Sequence, residues 1–178
     1  MKIIHTLILM LILTASVQAQ FVEKSTTVLC LVPSATAAVN TLARHDRRGL
    51  LQLALSSATC IAVNYGLEAA ITKKRPDGTG QHAFPSTHTA AAFNGATFLA
   101  RRYGWQWGVP AYAIAAYVGW GRVHADKHDW WDVLGGAAIG TGTALIFARP
   151  FAAKNADITL SPIIGGGKYG LSAAIRWF

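Results

Sequence analysis

Phe84-Pro85-Ser86-Thr87-His88-Thr89-Ala90-Ala91-Ala92-Phe93-Asn94-Gly95-Ala96-Thr97-Phe98-Leu99-Ala100 is apolar over most of its length and lacks the strict alternation of a strand. Ser86 follows a proline and is a good N-cap residue, so the stretch predicts a helix from Ser86 to Ala100 that opens on polar side chains. On either side, Val28–Leu42, Leu50–Ile71, Val109–Trp120 and Trp131–Ala148 share this composition. Asp46–Gly49, Pro76–Gly80, Gly104–Gly108 and His124–Asp129 carry the Gly, Pro and charged residues that end helices. The pattern predicts an all-α bundle of five to six helices, one domain over residues 20–152. The tail, residues 153–178, changes character. Ile158–Ile164 and Leu171–Phe178 flank Gly165-Gly166-Gly167-Lys168-Tyr169-Gly170 and predict a short C-terminal β-hairpin, with Leu171, Ala173, Ile175 and Trp177 on one face.

The chain has 178 residues, enough for one domain with a real core. Hydrophobic residues make up 52% and charged residues 13%, about half the charged share of an average soluble domain. A helical bundle with little polar surface, or a membrane, accounts for that shortage. The formal net charge of +8 suits nucleic acid, anionic headgroups or a phosphorylated substrate. No long basic run is present, which sets nucleic acid aside.

Residues 1–19 predict an export signal, with Lys2 at the positive start, the apolar run Leu7–Leu13, and a small-residue cleavage site at Val17-Gln18-Ala19. The other reading is an uncleaved first membrane helix over Ile3–Val17. Both readings put Phe21 outside the cytoplasm. The protein is therefore expected to face the periplasm, integral or peripheral to the inner membrane, or soluble beside it. Leu50–Ile71 alone has spanning length. If the helices cross, Arg44, Arg47, Arg48, Arg101, Arg102, Arg149 and Lys154 share one side. Lys73, Lys74, Arg75, Arg122 and Lys127 share the other, so charge bias alone does not orient the bundle. Cys30 and Cys60 lie in apolar segments and read as buried small hydrophobes.

Three polar clusters interrupt the apolar chain: Arg75-Pro76-Asp77-Gly78, Phe84 to Thr89, and Gly121 to Asp132. All three fall at one end of the predicted bundle, where their Arg, His and carboxylate groups make an anion pocket with acid and base in reach. The helix opening at Ser86 offers free N–H groups near Thr87 and His88 to a phosphate. Asp132 lies four residues after His128, so its carboxylate is expected to accept a hydrogen bond from one imidazole nitrogen. The other nitrogen is then free to attack phosphorus. His124 and His128 are also spaced as a metal-binding pair, with Asp126, Asp129 or Asp132 nearby.

Arg75-Pro76, Pro85-Ser86-x-His88 and Arg122-x5-His128-x3-Asp132 resemble the three-part signature of the type 2 phosphatidic acid phosphatase superfamily. The resemblance covers Leu67 to Arg149. It implies a metal-free, cofactor-free phosphatase acting on a phosphomonoester or pyrophosphate, with a lipid phosphate preferred. Polyprenyl pyrophosphate, phosphatidylglycerol phosphate and the phosphates of lipid A are the candidates. It also implies that His128 forms a phosphohistidine steadied by Asp132, that His88 protonates the leaving group, and that Arg75 and Arg122 bind the phosphoryl oxygens with Ser86 and Thr87. Three positions depart from the family pattern. Thr87 replaces Gly, Gly121 replaces Ser, and Glu68 stands where the family has Lys. Lys73 or Lys74, with Lys74 carried in the substrate-binding set, is expected to supply the missing positive charge. The same site resembles that of vanadium haloperoxidases, and a lipid-binding module without turnover is a further alternative.

Overall fold

The computed structural model describes Gln18, residues 20–151, and the backbone of 157–165 and 168–176. The expected export signal otherwise lies outside the described residues. Five helices make up the body of the protein. They are α1 (Gln20–Ala43), α2 (Arg47–Ala70), α3 (Thr87–Tyr103), α4 (Trp105–His124) and α5 (Trp130–Phe147). Beyond Phe151 the backbone forms two strands, β1 (Asp157–Gly165) and β2 (Lys168–Arg176), paired antiparallel with Asp157 opposite Arg176 and Gly165 opposite Lys168. The apolar face expected there falls on side chains outside the described residues.

Helix boundaries shift from the sequence reading, most at the start of α1 and at Gly104. α1 begins before Val28, because the polar run Glu23 to Thr27 conceals a buried stripe of Val22, Thr26 and Cys30. Thr26 tolerates burial because its hydroxyl bonds back to the Val22 carbonyl at 3.0 Å. A turn at Cys30 and Leu31 divides α1, and Pro33 sits in the first turn of its second part, where a proline's missing N–H costs nothing. The break expected over Gly104–Gly108 contracts to Gly104 alone, whose φ of 96° suits glycine. Cys30 and Cys60 are buried free thiols.

α3 packs against all four other helices and forms the centre of the bundle. Its Phe98 and Leu99 bury against Ala115 and Val118 of α4 and Ala144 of α5. Small residues let the helices approach closely: a Cβ on Gly136 of α5 would lie 2.4 Å from the Ser86 carbonyl. Asn94 pins the apolar interior, its amide donating to Ser56 Oγ at 2.7 Å and Thr143 Oγ1 at 3.0 Å. α1 and α2 are both long and apolar enough to cross a membrane, one more helix than composition alone suggested. Their outward faces expose Val28, Leu31, Val39, Leu51, Leu55 and Ile61.

The end of the bundle away from His128 is locked by a buried ion pair. Asp46, between α1 and α2, accepts from Arg102 Nε and Nη2 at 2.6 Å each and from the Tyr103 hydroxyl at 2.9 Å. The same carboxylate accepts the Gly49 N–H at 2.9 Å, capping α2. Arg102 Nη1 donates to Gln52 Oε1 at 2.9 Å and to the Arg149 carbonyl at 2.8 Å. One guanidinium thus ties together α2, α3 and the end of α5, with its donors directed at oxygens.

Candidate active site

The chain between α2 and α3 folds back on itself. Lys73 N–H donates to the Gln81 carbonyl, Arg75 N–H to the Gly80 carbonyl, and Ala83 N–H to the Lys73 carbonyl, each at 2.9 Å. Side chains alternate along such an extended stretch, so Lys73 and Arg75 share a face and Lys74 points to the other. Lys74 is exposed, while Lys73 and Arg75 are half-buried. Lys74 therefore lies on the face away from Lys73 and Arg75.

α3 opens at this loop. Ser86 occupies the N-cap position in extended conformation, but its side chain makes no capping bond; its hydroxyl accepts from Thr89 Oγ1 at 3.0 Å. The first intrahelical bond runs from Ala90 N–H to the Ser86 carbonyl at 2.9 Å, which leaves the N–H groups of Thr87, His88 and Thr89 without helical partners. These donors and the helix dipole suit a bound anion. Thr87 replaces glycine without strain, since it is helical, and its hydroxyl is held by Asn64 Nδ2 at 2.7 Å.

α4 ends at His124, and the chain turns through Asp126 at φ 53° before α5 begins at Trp130. His124 stacks on Trp120, ring centroids 4.8 Å apart. It does not pair with His128 in one helix, since the helical spacing expected for the metal reading is broken by the turn. His128 is buried at 4% exposure just before the N-cap Asp129. Its Nδ1 lies 2.8 Å from the Ala83 carbonyl and 3.6 Å from Asp132 Oδ2. The expected Asp132 hydrogen bond is thus replaced by one to a main-chain oxygen. A carbonyl only accepts, so Nδ1 carries the proton and Nε2 keeps its lone pair.

Asp132 is engaged elsewhere. It forms a capping box with Asp129, its Oδ2 accepting Asp129 N–H at 3.0 Å. Lys73 Nζ donates to Asp132 Oδ1 and to Asp129 Oδ2, both at 2.6 Å. Sequence reading considered Lys73 only as a phosphate ligand. Its partners lie more than fifty positions away along the chain, and no spacing rule reveals them.

Arg122, at 4% exposure, and Arg75 each keep a buried Nε without a hydrogen-bond partner. Both guanidinium groups act electrostatically on His88 and His128. Burial, the Arg122 and Arg75 charges and the neighbouring His128 hold His88 down at about 4. Burial and Arg122 likewise hold His128 down at about 4, against the opposing pull of the Ala83 bond and Asp132. Glu68 is half-buried, its Oε2 3.5 Å from Thr87 Oγ1, and among the described residues it makes no ion pair with Arg75.

The N-terminal helix also walls this end. A Cβ on Gly121 would lie 2.5 Å from Thr26 Cγ2 and 2.9 Å from Val22 Cγ1, so glycine in place of the family's serine admits α1. Lys127 then bridges Glu23 of α1 at 3.3 Å and Asp77 at 2.9 Å.

The sequence profile of the PAP2 superfamily matches residues 49–156. The chain is 30% identical to the lipid A 4'-phosphatase of Helicobacter pylori over 174 residues, covering 89% of this chain and 87% of that one. It is 43% identical over 70 residues to the lipid A 1-phosphatase of Porphyromonas gingivalis, a stretch spanning 37% of this chain and 16% of that protein. Its fold is similar to the crystal structure of Aquifex aeolicus LpxE, with TM-score 0.58 and 22% identity, covering 71% of this chain and 84% of that one. It is similar as well to the transmembrane PAP2-type phosphatidylglycerolphosphate phosphatase of Bacillus subtilis, with TM-score 0.56 and 24% identity, covering 71% and 75%.

Proposed function

The chain belongs to the PAP2 superfamily and is a phosphatase, and we propose that it hydrolyses a lipid phosphate through a phosphohistidine on His128, without metal or cofactor, on the periplasmic side of the membrane. The observation that carries this reading is the pair of buried guanidinium Nε atoms without partners, on Arg75 and Arg122, beside an imidazole whose Nδ1 is tied to a carbonyl. Unsatisfied buried donors of this kind are rare unless a ligand completes them.

The chemistry follows in two steps. His128 Nε2 attacks phosphorus, the P–O bond to the leaving group breaks, and His88 gives that oxygen its proton. Water then attacks the phosphohistidine, His88 takes the water's proton, the P–N bond breaks, and inorganic phosphate leaves. Arg75, Arg122 and the free N–H groups at the start of α3, next to Ser86 and Thr87, stabilise the charge spread over the phosphoryl oxygens. Burial and the guanidinium charges keep His88 neutral in the free enzyme, and a bound phosphate dianion offsets those charges enough for it to hold the proton it must donate.

A lipid substrate is supported by the two lipid A phosphatase relatives and by the apolar side chains beside the site. Trp130, Trp131 and Leu134 are exposed on the first turns of α5, next to His128, where aromatic side chains suit a headgroup interface. The orientation is supported by which cations remain free. At the site end Lys73 and Lys127 are paired with carboxylates and Arg122 is buried, which leaves Lys74 exposed there against five exposed arginines opposite. At the other end Arg44, Arg47, Arg48, Arg101 and Arg149 are exposed, as expected of a cytoplasmic face. The reading divides the chain into a signal over 1–19, the phosphatase domain over 20–152 and a hairpin tail over 153–178.

Phosphate release from purified protein tests this, with phosphatidic acid and lipid A in micelles against a soluble phosphomonoester. Turnover of the lipids, inhibition by vanadate and indifference to EDTA are expected, because vanadate takes the five-coordinate geometry of phosphoryl transfer. Activity lost on EDTA dialysis and restored by zinc would overturn the metal-free mechanism, and binding without release would leave a lipid-binding module.

Glu68 is a negative charge close to the start of α3, where the phosphate sits in this mechanism. Glu68→Gln is expected to tighten vanadate inhibition by about two- to fivefold, on the order of 0.5–1 kcal/mol for a partly exposed charge, with kcat little changed. Inhibition constants measured on both proteins check this, and a collapse of kcat in the variant would give Glu68 a role of its own.

A further inference from the structure

We propose that Lys73 is a positioning residue for His128, setting the imidazole from both sides through Asp132 and the Ala83 carbonyl. This deepens the phosphohistidine reading and rests on it. The main-chain carbonyl of Lys73 accepts Ala83 N–H at 2.9 Å, and the carbonyl of Ala83 accepts His128 Nδ1–H at 2.8 Å. The side chain of the same lysine grips Asp132 Oδ1 at 2.6 Å. Lys73 therefore fixes both groups that compete for the Nδ1 proton, one neutral and one charged.

The competition has a chemical consequence. Asp132 is fully buried, and Lys73 is the one cation bonded to its carboxylate among the described residues. With that ammonium in place, the carboxylate stays 3.6 Å from Nδ1 and the proton goes to the carbonyl. The resting imidazole is then uncharged and Nε2 is free to attack. Once phosphorus is bonded to Nε2 the ring is cationic, and Asp132 has to move less than an ångström to reach hydrogen-bond distance. Lys73 thus keeps the carboxylate close enough to steady the intermediate and neutralised enough not to raise the proton affinity of the nucleophile beforehand.

The charged and titratable groups facing His128 are Arg122 from α4, Arg75 from the loop before α3, His88 from α3 and Asp132 from α5. The two arginines oppose a proton on the ring at any pH of interest, so the balance between Asp132 and Lys73 decides how far its titration moves. Removing Lys73 turns the full charge of Asp132 toward the imidazole, raises the pH at which the ring loses its proton, and leaves less free Nε2 on the acid side of the profile.

The experiment is the pH profile of kcat/KM on dioctanoyl phosphatidic acid in micelles, for the wild type, Lys73→Met, Lys73→Arg, Asp132→Asn and the Lys73→Met/Asp132→Asn double variant. Lys73→Met is expected to shift the acid limb upward by about one pH unit, which lowers kcat/KM about tenfold on the acid side of both limbs and changes it little at pH 7, with KM nearly unchanged. Lys73→Arg keeps the limb where it was. In the Asp132→Asn background the added Lys73→Met change moves the limb no further, because the charge it acted through is gone. That last comparison leaves no unpaired buried charge, so a further shift in it overturns the proposal even where Lys73→Met alone does not fold. An acid limb unmoved in Lys73→Met, or a further shift in the double variant, overturns the proposal. A wild type without turnover, or an active His128→Ala variant, instead removes the phosphohistidine reading beneath it.

Discussion

His128→Ala is expected to lower kcat about 10⁴-fold or more, the scale seen when a covalent nucleophile is removed. That is about 5.5 kcal/mol of transition-state stabilisation. In the proposed mechanism the carboxylate nearest it, Asp132, does not take its place, being occupied by Lys73 and the Asp129 N–H. KM should change far less, because Arg75, Arg122 and the start of α3 remain to bind the phosphate. Rapid quenching with labelled substrate provides a second measurement. The wild type should trap an acid-labile, base-stable phosphoryl group that the variant lacks. Near-normal turnover in the variant would exclude covalent catalysis by this histidine.

The second large effect lies at the opposite end of the bundle and concerns stability. Asp46 and Arg102 have side chains 5% exposed each, and their contact is bidentate. Replacing Asp46 by Ala strands a buried guanidinium and uncaps α2, so a loss of about 3–5 kcal/mol is expected. For a chain of this length that is a fall in Tm on the order of 10 °C. Arg101→Ala, one position away but exposed, should shift Tm by no more than a degree or two, about the effect of an ordinary surface change. Thermal unfolding in detergent compares the two directly. Equal shifts would mean that the ion pair does not hold the helices together.

Much of this was legible in the residues. The helices announce themselves because long Ala-, Leu- and Gly-rich runs admit no other regular structure, and the breaks at Asp46 and Pro76 fall where charge and proline end them. The three polar clusters stand out because a chain with so few charges has little reason to crowd them. What escaped was contact at long sequence separation. That Nδ1 of His128 reaches the Ala83 carbonyl rather than Asp132 depends on how the 73–83 loop folds back, and helical spacing says nothing of it. The i, i+4 argument failed because His128 stands outside the helix that carries Asp132, leaving Asp132 to serve the cap. The choice between Lys73 and Lys74 has a similar origin: an extended stretch alternates its faces, and which neighbour faces Asp132 turns on a register that only pairing with 80–83 fixes. The start of α1 was missed because its buried side includes a threonine, satisfied by its own backbone.

The bare position at Gly121 fits two distant parts of the chain against each other. A serine there would need space that Thr26 and Val22 occupy, at 2.5 and 2.9 Å from where its Cβ would stand. Position 121 and the face of α1 around Thr26 are therefore coupled in packing: a side chain entering at 121 must displace Thr26 or Val22, although nearly a hundred residues separate them.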